Sequence, residues 1–329
     1  METKKLGKNG PAVSSIGLGC MGMSDMYGSK ETRNDGESVK TIQAALDAGI
    51  NFLDTGDYYG AGHNELLIRE AIKGRKEKPI ICVKFGALRS WNGAWMGYDT
   101  RPEAVKNFVA YSLNRLNVDA IDIYQPGRAN LSTSIEDTVG AIADLIKEGK
   151  VKYLGLSEPS PDVLRRAHAV YPVTEVQVEY SIASRVIEKE LLGVCRELGV
   201  GITAYGVLSR GLLSGQLTGN FAASDFRSHA PRFTGKNFES NKIKIEMLHD
   251  LANKKGCSPS QLAIAWVLYQ GNDILPVIGT TNQKRLEENI AALKIELTED
   301  DIKIMDQYFP DGAFAGSRYA EQLMGTVVH

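Results

Sequence analysis

The stretch AIDIYQPGRANLSTSIEDTVGAIADLIKEGKVKYLGL, residues 120–156, contains one complete strand–helix–strand unit. It opens on a short apolar run at 120–124 and closes on another at 151–156. Runs of this kind, apolar on both faces, are what strands covered on both sides look like. Between them Ile135, Val139, Ile142 and Ile146 recur at spacings of three and four, which places them on one helix face. The same rhythm continues in both directions. Further apolar runs lie at 50–53, 80–83, 173–178, 201–204 and 274–278, and a shorter one at 15–19 brings the candidate strands to eight. Helical spacing recurs in 101–116 (Val105, Phe108, Val109, Leu113, Leu116) and in 187–198 (Ile187, Leu191, Val194, Cys195, Leu198). Eight strands alternating with helices predict an α/β fold, a (β/α)8 TIM barrel, with residues 1–329 forming one barrel domain.

A doubly wound sheet is the competing fold. Gly17, Gly19 and Gly22 in GLGCMG do match the spacing GxGxxG. The polar stretch 24–37 follows them where a dinucleotide-binding turn would open a helix, so the match is rejected. Residues 209–241 read as a long loop after the seventh strand, and the polar tail at about 310–329 as a mobile terminus near the barrel mouth.

Composition narrows the class. Of 329 residues, 43% are hydrophobic and 24% charged, and 38 Lys and Arg against 40 Asp and Glu leave a net charge of −2. That balance offers no basic excess for nucleic acid. No apolar run approaches the ~20 residues that span a bilayer. The start, METKKLGKNG, has no apolar segment behind its lysines and does not read as a secretory signal. The four cysteines form no CxxC pair, and none of the five histidines makes an HxH or HxxxH arrangement. Neither a zinc site nor a disulfide framework is expected. The expectation is a cytoplasmic, metal-free protein with no membrane partner and an open oligomeric state.

In a βα barrel, chemistry sits at the carboxyl ends of the strands. Those ends carry Asp54, Asp57, Tyr58 and Tyr59 (second strand), Lys84 (third), Ser157 and Glu158 (fifth), Gln177 and Glu179 (sixth), and Tyr205, Ser209 and Arg210 (seventh). Singly, each could be a solvated terminus, a turn cap or a packing residue. Asp54, Tyr59 and Lys84 say more together. A phenol has a pKa of ~10 in water, and a nearby ammonium favours phenolate and lowers that value. A carboxylate beside the lysine keeps it charged and placed, so the trio reads as a proton donor for a carbonyl.

With these residues in place, the chain resembles the aldo-keto reductases. The likeness rests on GLGCMGMS (17–24), NFLDTGDYYG (51–60), GHNE (62–65), the Lys84 strand, GKVKYLGLSE (149–158), VQVEYS (176–181), DFRSHAPRF (225–233) and GTTNQKRLEEN (279–289). They run in order over nearly the whole chain and are most similar to the bacterial and plant branch that includes pyridoxal and perakine reductases. The resemblance implies NADPH lying across the barrel mouth, hydride transfer to an aldehyde or ketone, and Tyr59 as proton donor assisted by Lys84 and Asp54. It implies that Ser157 and Gln177 hydrogen-bond the carboxamide and that Tyr205 stacks on the nicotinamide. Ser209, Arg210 and the following loop would cover the pyrophosphate. From Gly279 onward, Thr280 and Arg285 would reach the 2′-phosphate, with Glu288 and Asn289 near the adenine. A guanidinium can bind phosphate through bidentate, charge-assisted bonds, so NADPH is expected over NADH.

One departure stands out. The family's usual catalytic group includes a His ending the fourth strand, in a motif read as DLYYQHR. This chain has IDIYQPGRAN at 121–130, which puts Gly127 or Pro126 there. Neither side chain donates a hydrogen bond. Without an imidazole the mouth is expected to be wider, and carbonyl polarisation weaker. His63 could approach Tyr59, but a role at the start of its helix is the plainer reading. Met21, Trp91 and Trp95 are expected to rim the pocket with Gly127, which suits an apolar or aromatic carbonyl. The alternative reading is a slow or non-catalytic, NADPH-bound sensor or partner protein. A metal-dependent hydrolase is set aside because no strand end carries histidine.

Overall fold

Each apolar run becomes a strand that continues past its last aliphatic residue into the polar mouth. In the computed structural model, which describes residues 1–28, 30–129 and 133–328, the barrel strands are β1 (Gly17–Gly19), β2 (Phe52–Gly56), β3 (Ile80–Phe85), β4 (Ile121–Pro126), β5 (Val151–Ser157), β6 (Glu175–Glu179), β7 (Gly201–Tyr205) and β8 (Ile274–Gly279). All eight are parallel to their neighbours, and β8 pairs with β1 to close the barrel. Seven of them end one to three residues beyond the apolar runs. Lys84, Gln125, Ser157, Glu179 and Tyr205 therefore belong to strands and not to loops. The reason is that the parallel ladder keeps pairing up to the mouth: Gly56 is opposite Lys84, Lys84 opposite Gln125, and Glu179 opposite Tyr205.

The floor of the barrel is sealed by an antiparallel hairpin, Thr3–Lys5 with Ala12–Ser14. Its Leu6 and Val13 pack onto Phe52, Cys82, Ile123, Leu275 and Val277, all buried. Around the barrel run α1 (Asp35–Asp47), α2 (His63–Ile72), α3 (Pro102–Leu116), α4 (Ile135–Lys147), α5 (Pro161–Val170), α6 (Leu191–Leu198), α7 (Gly235–Lys254), α8 (Pro259–Tyr269), α9 (Gln283–Ala291) and α10 (Glu299–Tyr308). The helix starts follow capping chemistry. Ser134 caps α4 by accepting from the Asp137 N–H, and Ser258 with Gln261 forms a capping box on α8. Gly17 and Gly19 lie in β1 and a short 3-10 turn, Met21–Met23, follows, so GLGCMG opens no helix. None of the described helices is long and apolar enough to cross a membrane.

Three expectations are corrected here. The segment after the seventh strand is an irregular cover only to residue 234, because α7 starts at Gly235. The helix placed at 187–198 starts at Leu191, since Val186–Glu188 forms a separate 3-10 turn before it. The tail is docked: Arg318 is buried in the barrel mouth, and a last turn of helix forms at Glu321–Met324.

Glu175 faces the barrel interior one layer below the mouth. It accepts a hydrogen bond from Thr203 Oγ1, and it is fully buried. Burial, with Asp54 adding and Thr203 and Lys84 opposing, pushes its carboxyl up to about 8. Above ~4.3 the unfolded chain releases this proton while the folded chain keeps it, so Glu175 costs stability as pH rises toward 8. Glu175→Gln is expected to raise the thermal unfolding temperature more at pH ~8 than at pH ~5. The gain at the higher pH is on the order of a few kcal/mol.

Candidate active site

β2 leaves the barrel at Gly56, and the chain turns through Asp57 and Tyr58 into a tight turn, Tyr59–Gly62, before α2. Gly60 makes the turn possible: its φ is +59°, and a Cβ there would press on Ser24 and His63 at 3.1 Å. This brings Tyr59 back over the strand ends. Lys84 Nζ donates to Asp54 Oδ1 at 2.6 Å, and the same ammonium lies 5.2 Å from the Tyr59 ring centroid. Gln177 Nε2 donates to Asp54 Oδ1 at 2.7 Å. Asp54, Tyr59, Lys84 and Gln177 are each at most 5% exposed, so the four form one desolvated cluster. Ser157, paired in register with Gln177, is buried beside them at the end of β5.

The Tyr59 hydroxyl is held well above its ordinary range, first by burial and then by Tyr58 and Asp54. That reverses the direction expected from Lys84 alone. Desolvation of a phenolate outweighs one ammonium, so Tyr59 rests as a phenol.

A second network surrounds Tyr205. Its hydroxyl donates to Glu158 Oε1 at 2.7 Å and lies 2.9 Å from the Tyr319 hydroxyl. Glu158 also accepts from Arg318 Nη1 and Nη2 at 3.1 Å each and from the Val328 N–H at 2.9 Å. Burial would raise the Glu158 carboxyl, but Arg318 overrides it and sets the value at about 2. Glu179 accepts from Arg210 Nη2 at 2.8 Å and from Ser184 Oγ at 2.8 Å. Burial opposes its ionisation as well, and Arg210, Arg318 and Arg232 together hold its pKa low. Arg210, expected over the pyrophosphate, is thus turned inward onto a carboxylate. Ser209 is buried, with Arg232 Nη1 3.5 Å from its hydroxyl. The sequence pointed to Glu158 and Glu179 without a role and left the tail undecided, since partners 160 positions apart (Glu158, Arg318) leave no local pattern.

Gly279, the last residue of β8, is exposed, and beyond it Thr280 Oγ1 accepts from the Asn282 N–H at 3.2 Å. Asn282 caps α9 through the Arg285 N–H. The Arg285 side chain is exposed, and among the described residues no carboxylate pairs with it. Glu288 accepts from Ser258 Oγ at 2.6 Å, and Asn289 is buried.

The rim differs from expectation in two places. Trp91 is 98% exposed at the tip of a hairpin, Ala87–Arg89 with Trp95–Tyr98, and lines nothing. Trp95 stays partly in solvent but sets its ring edge-on to Tyr58 at 5.9 Å, and Met21 packs against the cluster of Tyr58, Tyr59 and Ala87. The space at Gly127 is also not open: a Cβ there would meet Phe85 O, Tyr58 Cε1 and Tyr58 Oη, each at 3.3 Å. The expected widening is filled by Tyr58. Pro126, the other position considered for the absent His, ends β4 and is buried. His63 stands at the start of α2, tied to Ser24 Oγ at 2.9 Å and to Asp35 Oδ2 at 3.1 Å.

Residues 15–309 match the model of the aldo/keto reductase family. The chain is 44% identical over 321 residues to "Probable aldo-keto reductase 1" of Glycine max, covering 97% of this chain and 92% of that protein. Among solved structures it is similar to the glycerol dehydrogenase AKR11B4 from Gluconobacter oxydans, with a TM-score of 0.81 at 30% identity over 93% of this chain and 94% of that one. A thermostable aldo-keto reductase, Tm1743, solved with the inhibitor epalrestat, gives a TM-score of 0.74 at 27% identity over 94% and 100% of the two chains. The barrel, the ordered motifs and these likenesses converge: the chain belongs to the aldo/keto reductase family.

Proposed function

We propose that this protein reduces an aldehyde or ketone to the alcohol with NADPH, and that Tyr59 delivers the proton to the carbonyl oxygen. The observation that carries the reading is the buried pair of Asp54 and Lys84, joined at 2.6 Å, with the Tyr59 ring against the ammonium at 5.2 Å. When bound, reduced nicotinamide supplies a hydride to the carbonyl carbon. Tyr59 rests as a phenol, so it has a proton to give in every cycle. As that proton leaves, the nearby ammonium of Lys84 stabilises the developing phenolate, and Asp54 keeps the ammonium in place.

The residues present suit a nicotinamide cofactor carrying a phosphate. Arg285 is an exposed cation in the first turn of α9, where the helix end favours anions and no acidic residue intervenes. Gln177 and Ser157 stand at the strand ends for the carboxamide, and Tyr205 offers a ring face. Gly279, Thr280, Glu288 and Asn289 frame the adenosine end. Ser209, Arg210 and the cover to residue 234 would close over the pyrophosphate once Arg210 exchanges Glu179 for phosphate. Met21, Trp95 and Tyr58 favour a carbonyl with an apolar or aromatic body, in keeping with the resemblance to pyridoxal and perakine reductases. The whole chain would act as one cytoplasmic barrel domain.

The test is loss of reduced-nicotinamide absorbance with aromatic aldehydes, aliphatic aldehydes and bulky ketones, run with NADPH and with NADH. Turnover favouring NADPH supports the reading. NADPH binding without turnover of any carbonyl overturns it in favour of a sensor or partner protein. Arg285→Ala is expected to raise KM for NADPH by about 10-fold or more and to leave KM for NADH nearly unchanged, since a charge-assisted bond is worth roughly 1.5–3 kcal/mol.

A further inference from the structure

Tyr58 reads in the sequence as one strand-end residue among several, yet its ring stands between the ends of β2 and β4, 3.3 Å from where a Cβ at Gly56 or Gly127 would lie. Its ring stands edge-on to Tyr59, with centroids 4.9 Å apart and planes at 79°. Both rings close on the end of β2, since a Cβ at Gly56 would meet Tyr58 Cε1 and Tyr59 Cε1 and Cζ, each at 3.3 Å. Among the described residues, the Tyr58 hydroxyl has no backbone carbonyl or carboxylate as acceptor. It lies 3.3 Å from where a side chain at residue 127 would begin, and the residue is 7% exposed. A glycine at 127 is what leaves room for the ring: any Cβ would press on Cε1 and Oη together.

We propose that Tyr58 is a second catalytic donor, its O–H bonding the substrate's carbonyl oxygen beside that of Tyr59, and that Gly127 makes the space for it. This rests on the reading of Tyr59 as proton donor. In the reaction the hydride adds to carbon, the proton passes from Tyr59 to oxygen, and Tyr58 keeps its own proton throughout. Its hydrogen bond strengthens as charge builds on the oxygen, which is the condition for accelerating the step and not merely binding the substrate. Two neutral phenols in a desolvated pocket form a preorganised pair of donors with little water to displace.

The experiment uses 4-nitrobenzaldehyde as probe at saturating NADPH. It compares wild type with Tyr59→Phe, Tyr58→Phe, Tyr58→Ala and the double variant Tyr58→Ala/Gly127→His. Tyr58→Phe keeps every ring contact and is expected to lower kcat by about 10²–10³-fold, as loss of one such donor does. KM should stay within about 3-fold and NADPH affinity, read by fluorescence, should be unchanged, because only transition-state stabilisation is lost. The double variant should run about 10-fold faster than Tyr58→Ala, since an imidazole then has the space and supplies a donor. A Tyr58→Phe kcat within about 3-fold of wild type overturns the assignment. Should Tyr58→Phe fail to fold, a double variant no faster than Tyr58→Ala overturns it instead. If wild type is active, Tyr59→Phe dead and Tyr58→Phe fully active, only Tyr58's role falls. An inactive wild type removes the reductase reading and this inference with it.

Discussion

Tyr59→Phe is expected to lower kcat by about 10²–10⁴-fold, the range that a positioned general acid contributes. The substitution removes one oxygen and preserves the ring that packs on Tyr58, Met21 and the Lys84 ammonium. Affinity for NADPH should therefore stay as in wild type, and KM for the carbonyl should change little. Stability should hold or rise slightly, since the hydroxyl that disappears is buried and has no carboxylate or backbone carbonyl as acceptor among the described residues. Stopped-flow mixing of the NADPH-loaded variant with aldehyde would separate chemistry from binding. A variant that binds both ligands but is slow in the first turnover places the loss in proton transfer. A kcat within a few-fold of wild type would move the proton donor elsewhere.

The second large effect concerns stability. Arg318 binds Glu158 through both terminal nitrogens at 3.1 Å and lies 3.7 Å from Glu179, in a site where all three side chains are at most 6% exposed. Arg318→Met keeps the aliphatic length and leaves Glu158 short of its main cation. Breaking a buried pair from one side costs about 3–5 kcal/mol, so urea unfolding at neutral pH should show a loss of that order. The pH dependence has a definite sign. Because Glu158 is depressed to about 2, its contribution is fully present above the unfolded value of ~4.3 and is lost as pH falls through about 2. Wild type and variant should therefore converge on acidification. A constant gap between pH ~7 and ~2 would mean that Arg318 acts by packing alone. Because the same arginine precedes Tyr319, whose hydroxyl meets that of Tyr205, the variant should also loosen the tail from the mouth.

How far the sequence could be read follows from where the information lies. Strand and helix periodicity are local, and the runs at 80–83, 151–156 and 201–204 identified strands starting at the first residue of each run. Their ends were harder, because Lys84, Ser157 and Tyr205 are polar yet remain in the ladder. The Asp54, Tyr59 and Lys84 grouping could be anticipated because barrel chemistry collects at strand ends, and the three do meet. What escaped were contacts across the chain. The ion pair of Arg210 with Glu179, which any phosphate would have to displace, is one of them. The tail looked mobile because nothing near 318 reveals a partner at 158. Trp91 looked like pocket lining because an aromatic in a mouth loop usually packs, whereas here the hairpin holds it in solvent. The role of Gly127 was half-visible: the missing side chain could be seen, and the neighbour occupying its place could not.

The most direct measurement follows the fate of the transferred hydrogen. NADPH carrying deuterium at its transferable position would be incubated with 4-nitrobenzaldehyde and the wild-type protein, with Tyr59→Phe in parallel, and the alcohol examined by mass spectrometry. The account predicts alcohol bearing one deuterium on the carbinol carbon from wild type and almost none from the variant in the same time. Unlabelled alcohol, or equal labelled product from both proteins, would contradict it.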